Sequence, residues 1–145
     1  MARRRGREAE PAEALAARGL RATRQRIAIL DHLRRSRGHP TAAELHRRLL
    51  ATQPNVSLKT VYGALDALVA AGLAECVTDG GAPYRYEAHA GPHYHARCRV
   101  CGSMVDVPAR ADGPIRGRTA LPEGFEIERI RVTLVGRCAR CREDC

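Results

Sequence analysis

An α+β chain of two small domains is predicted by three features of the sequence. Short amphipathic helices with recognisable caps fill its first half, the apolar period then drops from helical to two, and the last third combines strand-like segments with two C-x-x-C pairs. A chain of 145 residues fits one ordinary domain or two small ones. A domain of half that length has a thin core and leans on a metal or a partner subunit.

Residues 3–10 are charged and expected to be mobile. A first helix runs from Pro11, a good first-turn residue, to Arg18, with Gly19 as its stop. In "TRQRIAILDHLRRSRG" Thr23 caps a second helix whose stripe is Ile27, Leu30 and Leu33. In "HPTAAELHRRLLA" Pro40 is expected to hold His39 extended. Thr41 and Glu44 then form a capping box, and Leu45 and Leu49 face inward. In "SLKTVYGALDALVAAG" Ser57 caps, Val61, Leu65 and Leu68 face the core, and Gly72 ends the helix. Lys59, Thr60, Tyr62, Gly63 and Asp66 are left facing outward. "LAECVT", the turn "DGGAP" and "YRYEA" then read as a β-hairpin. Helices followed by a hairpin spell a winged helix-turn-helix, in which the helix of "SLKTVYGALDALVAAG" enters the major groove of double-stranded DNA.

"HAGP" (89–92) is a Gly/Pro hinge between a domain at 1–88 and one at 93–145. The second domain reads as strands in "ARCRVCGSMVDVP" and in "FEIERIRVTLVGRC", where Ile130, Val132 and Leu134 alternate. A short helix or irregular stretch is expected through 109–121. So small a domain is expected to be stapled by metal and to form a homodimer.

The net charge of +9 is uneven: +8 over residues 1–50, −2 over 51–90 and +3 over 91–145. A basic first third is the footprint of a phosphate-binding surface, although Lys59 is the only lysine and an Arg-rich composition gives part of the same excess. Arg24 and Arg26 are candidates for phosphate contact. No stretch of about 18 apolar residues offers a membrane span. "MARRRGREAE" has a basic start with no apolar region after it, so the expected location is cytoplasmic.

Cys98/Cys101 and Cys138/Cys141 form two C-x-x-C pairs with 36 residues between them. In a cytosolic chain this pattern reads as a structural Zn²⁺ with four thiolates and no open position. A redox dithiol would more often show a single pair. Arg97, Arg99, Arg137, Arg140 and Arg142 flank the cysteines and would offset the site's negative charge. Cys76 is expected to pack as a small apolar residue and Cys145 to sit on a free tail. In "HYHARCRVC" His93 and His95 are left over, and residues two apart in a strand share a face. They can reach one further ion, with Glu87, His89 and Asp106 as candidates to complete its shell. His32, His46 and His89 otherwise read as solvated.

These residues carry a resemblance. "RGLRATRQRIAIL", "HPTAAELHRRL", "SLKTVYGALDALVAAGL", "HYHARCRVCG", "MVDV" and "GRCARC" appear in the order of the ferric uptake regulator family of bacterial metal-dependent repressors, from about Leu15 to Cys141. The resemblance implies a dimer, each subunit with a winged helix and an α/β dimerisation domain, and the same four-cysteine zinc. It implies a regulatory metal on His39, Glu87, His93, His95 and Asp106; periodicity alone does not place His39 there. Three imidazoles and two carboxylates favour Fe²⁺ or Mn²⁺ over a thiophilic ion.

"HYH" with Asp106 resembles the peroxide-sensing branch, where iron-dependent oxidation strikes histidines matching His39 and His93. Zinc-sensing members have cysteine where Glu87 stands. Iron-sensing members carry ligands where Pro92 and Tyr94 stand. The peroxide branch usually has Asp at Glu87, which keeps iron or manganese sensing as the alternative. The resemblance also suggests Tyr62 at DNA bases, with Lys59 and Thr60 near phosphates or base edges. Two readings of other classes are a zinc hydrolase open at His93 and His95, and a DNA-binding protein with structural zinc only. The first lacks a general base outside the ligand set. The second predicts DNA binding insensitive to loss of His93.

Overall fold

The computed structural model describes residues 9–36, 38–77, 83–88, 93–109, 121–127 and 130–143. The chain divides into two compact units, Met1–His89 and Ala90–Cys145. The charged start through residue 8, the hinge at 89–92 with His89, and Cys145 lie outside the described residues, as does the connection at 110–120.

The first unit has α1 (Pro11–Ala17), α2 (Arg24–Arg35), α3 (Ala42–Leu49), α4 (Leu58–Ala70), β1 (Glu75–Val77) and β2 (Arg85–Glu87). Local chemistry starts each of the longer helices. Thr23 accepts from the Arg26 N–H and Ser57 from the Thr60 N–H. Thr41 and Glu44 complete a reciprocal box, with each side chain accepting from the other's backbone. Gly19 and Gly72 end α1 and α4 at φ +70° and +68°, where a Cβ would be strained. Leu15, Ile29, Leu30, Leu33, Leu45, Val61, Leu65 and Leu68 are fully buried and form one core between the helices. Cys76 packs against that core, half-buried.

β1 and β2 pair antiparallel, with Glu75 opposite Glu87 and Cys76 opposite Tyr86. Residues 78–82, most of the expected turn, lie outside the described residues. The segment before α3 bridges β2 at Thr41 and Arg85, and the Tyr86 N–H donates to the Pro40 carbonyl at 3.0 Å. Helices and wing together make the winged helix.

The second unit has β3 (His93–Cys98), β4 (Met104–Pro108), β5 (Thr133–Gly136) and α5 (Ala139–Glu143). The sheet order is β4-β3-β5, with β4 antiparallel and β5 parallel to β3. One expectation needs correction here. The last strand begins at Thr133, not at Ile130, because pairing with β3 starts there; the Val132 carbonyl makes the first contact, accepting from the His95 N–H. The "CARCRE" end is helical, which no apolar stripe announced.

Two solvated histidines are also corrected. The His46 Nε2 bonds the Val56 carbonyl at 2.8 Å, and His32 bonds the Arg48 guanidinium. Among the described residues no helix is long and apolar enough to cross a membrane.

Candidate metal centres

The four cysteines come from the ends of local elements. Cys98 closes β3, Cys101 sits in the turn that follows, and Cys138 and Cys141 lie at the start of α5 and within it. Pairing of Cys98 with Gly136 in the parallel ladder brings the two motifs together. Gly102, at φ +70°, lets the turn close so that its N–H donates to the Cys98 carbonyl at 2.9 Å.

The four Sγ atoms lie within 4.8 Å of one another. Cys101 Sγ and Cys138 Sγ are 3.8 Å apart, matching the roughly 3.8 Å edge of a zinc tetrahedron with bonds of about 2.3 Å.

The thiols do not share one acidity. The Ser103 hydroxyl, with Oγ 3.2 Å from Cys101 Sγ, holds that thiol down to about 5. Cys98 is also lowered, by backbone N–H groups of Cys101 and Cys138. Cys141 is pushed up to about 12, because its proton is shared with Cys138 and the neighbouring thiolates repel a further charge. Four crowded sulfurs that cannot all ionise alone are a donor set that a dication completes. Arg140, one of the flanking arginines, hydrogen-bonds Cys101 and has its own pKa raised by it.

In the second unit His93 and His95 share one face of β3, and Asp106 stands opposite His95 on β4. Each histidine Nε2 lies 3.9 Å from Asp106 Oδ1, and the two rings meet edge to face with centroids 4.9 Å apart. That distance is too long for a hydrogen bond. A common ion with bonds of about 2.1 Å sets its ligands roughly 3–3.5 Å apart, so only a small contraction separates this trio from coordination.

In the first unit His39 Nε2 lies 2.7 Å from Glu87 Oε2, and both side chains are almost wholly buried, at 0% and 4% exposure. The expected extended backbone at His39 is corrected. His39 has φ +40°, in the left-handed region that the residue before a proline normally avoids. Such a conformation costs about 1–3 kcal/mol and persists only where the surroundings hold it. Sequence reasoning missed two contributors, Arg85, whose Nη1 donates to the His39 carbonyl at 3.0 Å, and Ser103. The only sequence signal for either was closeness to a candidate ligand.

The outward face of α4 carries Lys59, Thr60 and Tyr62, all exposed, Tyr62 by 44%. Thr60 Oγ1 is 2.8 Å from the Ser57 hydroxyl, so part of its bonding capacity serves the cap. Arg24 is exposed at the first residue of α2.

Comparison with known proteins agrees with this layout. The chain is 36% identical over 132 residues to the peroxide operon regulator of Bacillus subtilis (strain 168), covering 91% of each protein. It resembles the Vibrio cholerae ferric uptake regulator in structure with a TM-score of 0.73 at 25% identity, over 88% of this chain and 98% of that one. A zinc-bound manganese uptake regulator matches with a TM-score of 0.71 at 27% identity, over 89% and 98% of the two chains. The ferric uptake regulator family model matches residues 17–135, and with a winged helix, a four-cysteine cluster and histidine–carboxylate groups in place the chain belongs to that family of metal-responsive repressors.

Proposed function

We propose that the protein is a homodimeric repressor that binds operator DNA when a regulatory metal is bound and lets go when peroxide oxidises a ligand histidine. Cys98, Cys101, Cys138 and Cys141 hold a structural Zn²⁺ in this reading. His39, Glu87, His93, His95 and Asp106 hold the regulatory Fe²⁺ or Mn²⁺. The observation that carries it is the donor set itself, an imidazole against a buried carboxylate in the first unit and two imidazoles facing a carboxylate in the second. Oxygen and nitrogen donors without sulfur suit Fe²⁺ or Mn²⁺ and leave the thiolates to zinc. Because the set draws on both units, metal binding and DNA binding are linked, and the ion shifts the population toward the DNA-binding form. Lys59, Thr60, Tyr62 and Arg24 meet the DNA.

Ferrous iron held at the regulatory site would lend one electron to hydrogen peroxide and regain it as the ring is oxidised. The net change leaves one peroxide oxygen on the imidazole of His39 or His93 and releases the other as water, the ring giving up two electrons. An oxidised ring is a poorer ligand, and DNA is released. The name of the Bacillus subtilis relative supports this reading.

One feature favours a second reading, sensing of iron or manganese level without oxidation. Glu87 has one methylene more than the aspartate usual in the peroxide-sensing branch. The test is anaerobic: load with Fe²⁺ or with Mn²⁺, measure binding to operator-type DNA, add stoichiometric peroxide and take peptide masses. Peroxide sensing gives loss of binding with iron only, with one added oxygen on His39 or His93. Retained binding with unmodified histidines selects the metal-level sensor.

A further inference from the structure

The His39–Pro40 pair is held by three consecutive residues of β2. Arg85 Nη1 donates to the His39 carbonyl at 3.0 Å, the Tyr86 N–H donates to the next carbonyl, Pro40, at 3.0 Å, and Glu87 Oε2 meets the His39 ring Nε2 at 2.7 Å. Strand alternation puts Arg85 and Glu87 on one face, with Tyr86 turned into the core. One face of β2 therefore holds His39 at two points, the backbone by Arg85 and the ring by Glu87. The Arg85 side chain is only 21% exposed, and its contact with Glu44 Oε2 is loose, at 3.8 Å. The carbonyl bond is the stronger of its two contacts, because a charged donor at 3.0 Å is a full hydrogen bond and the ion pair is part-exposed.

We propose that Arg85 is a positioning residue for the regulatory metal: it locks the left-handed backbone of His39, so that the imidazole is presented to the ion beside Glu87. This rests on the reading of His39 and Glu87 as ligands. Metal ligands depend on partners that fix their orientation, and loss of such a partner weakens metal affinity by about 10–100-fold. Here the partner acts on the ligand's backbone, where a rotation about φ would swing the whole ring.

The test uses the full-length, zinc-loaded protein and Mn²⁺ as the probe, with free Mn²⁺ read by electron paramagnetic resonance. R85M should bind Mn²⁺ about tenfold more weakly, with zinc content unchanged. R85K, which keeps a charged donor, should recover most of that loss. E44Q, which leaves the carbonyl bond intact, should bind like the parent. If R85M does not fold, R85Q stands in with the same expectation, its amide being too short to reach the carbonyl. A lower melting temperature for R85M with unchanged Mn²⁺ affinity would make Arg85 merely structural and overturn the proposal. Tighter binding would overturn it too, since removing a nearby positive charge gives that by itself. H39A separates the two levels. If H39A loses Mn²⁺ and R85M does not, the proposal fails alone; if H39A also binds like the parent, the ligand reading fails and takes the proposal with it.

Discussion

Gly63 has no steric reason to be glycine. It lies inside α4 at an ordinary helical φ, is exposed, and an added Cβ would meet nothing within 4 Å. Glycine there costs about 1 kcal/mol relative to alanine through the freedom it loses on folding. G63A should therefore raise the unfolding free energy by about 1 kcal/mol in a denaturant titration. The same variant measures what the gap does for recognition, because Gly63 shares the outward face of α4 with Lys59 and Tyr62. His39 poses the opposite case: its strained backbone is explained by its neighbours in space but not by those in sequence. The rule that a residue before proline is extended is local, and contacts from β2, more than 40 positions along the chain, override it.

Among elements, α2 and α3 meet in a titratable contact, His32 with Arg48. Burial first, and the Arg48 charge second, hold the His32 pKa below its ordinary 6.5. The unfolded chain then takes up a proton before the folded one does. Stability is full above about pH 6.5 and drains as pH falls through the lowered folded value. H32Q removes this loss, so between pH 7.5 and 5.5 its melting temperature should fall less than that of the parent; equal slopes would remove His32 from the account. The helices of the first unit were legible because a cap and an apolar stripe are local signals, and Thr23, Thr41 and Ser57 all cap as read. β5 and α5 were legible only in part. Where β5 begins depends on its parallel partner β3, and α5 is a single turn and a half built around Cys138 and Cys141. The cysteine cluster was readable from spacing. His93, His95 and Asp106 were candidates by alternation, whereas His39 needed the family resemblance.

For the molecule as a whole, the two units differ in what sustains them. The first has a continuous apolar core. Among the described residues of the second, the buried apolar side chains are Cys98 and Met104, while Val105, Leu134 and Val135 are each at least half exposed. Among the described strands β5 is an edge of its sheet with apolar residues on both faces, a surface that calls for a cover. A small unit with so little interior is expected to draw its stability from cross-linking and association. C138S tests this division. It removes one of the four proposed zinc ligands and keeps the Cys138 N–H contact to Cys98 Sγ, at 3.4 Å, which the backbone makes. Zinc content should fall from about one per chain toward zero, since a structural site with three thiolates loses its closed tetrahedron. For the proposed homodimer, sedimentation velocity should then show monomer for C138S against dimer for the parent, while the helical circular dichroism of α2, α3 and α4 stays, because their core does not draw on the metal. Loss of that helical signal together with zinc would mean that the first unit is not self-sufficient, and a dimer persisting without zinc would mean that the apolar faces alone hold the second.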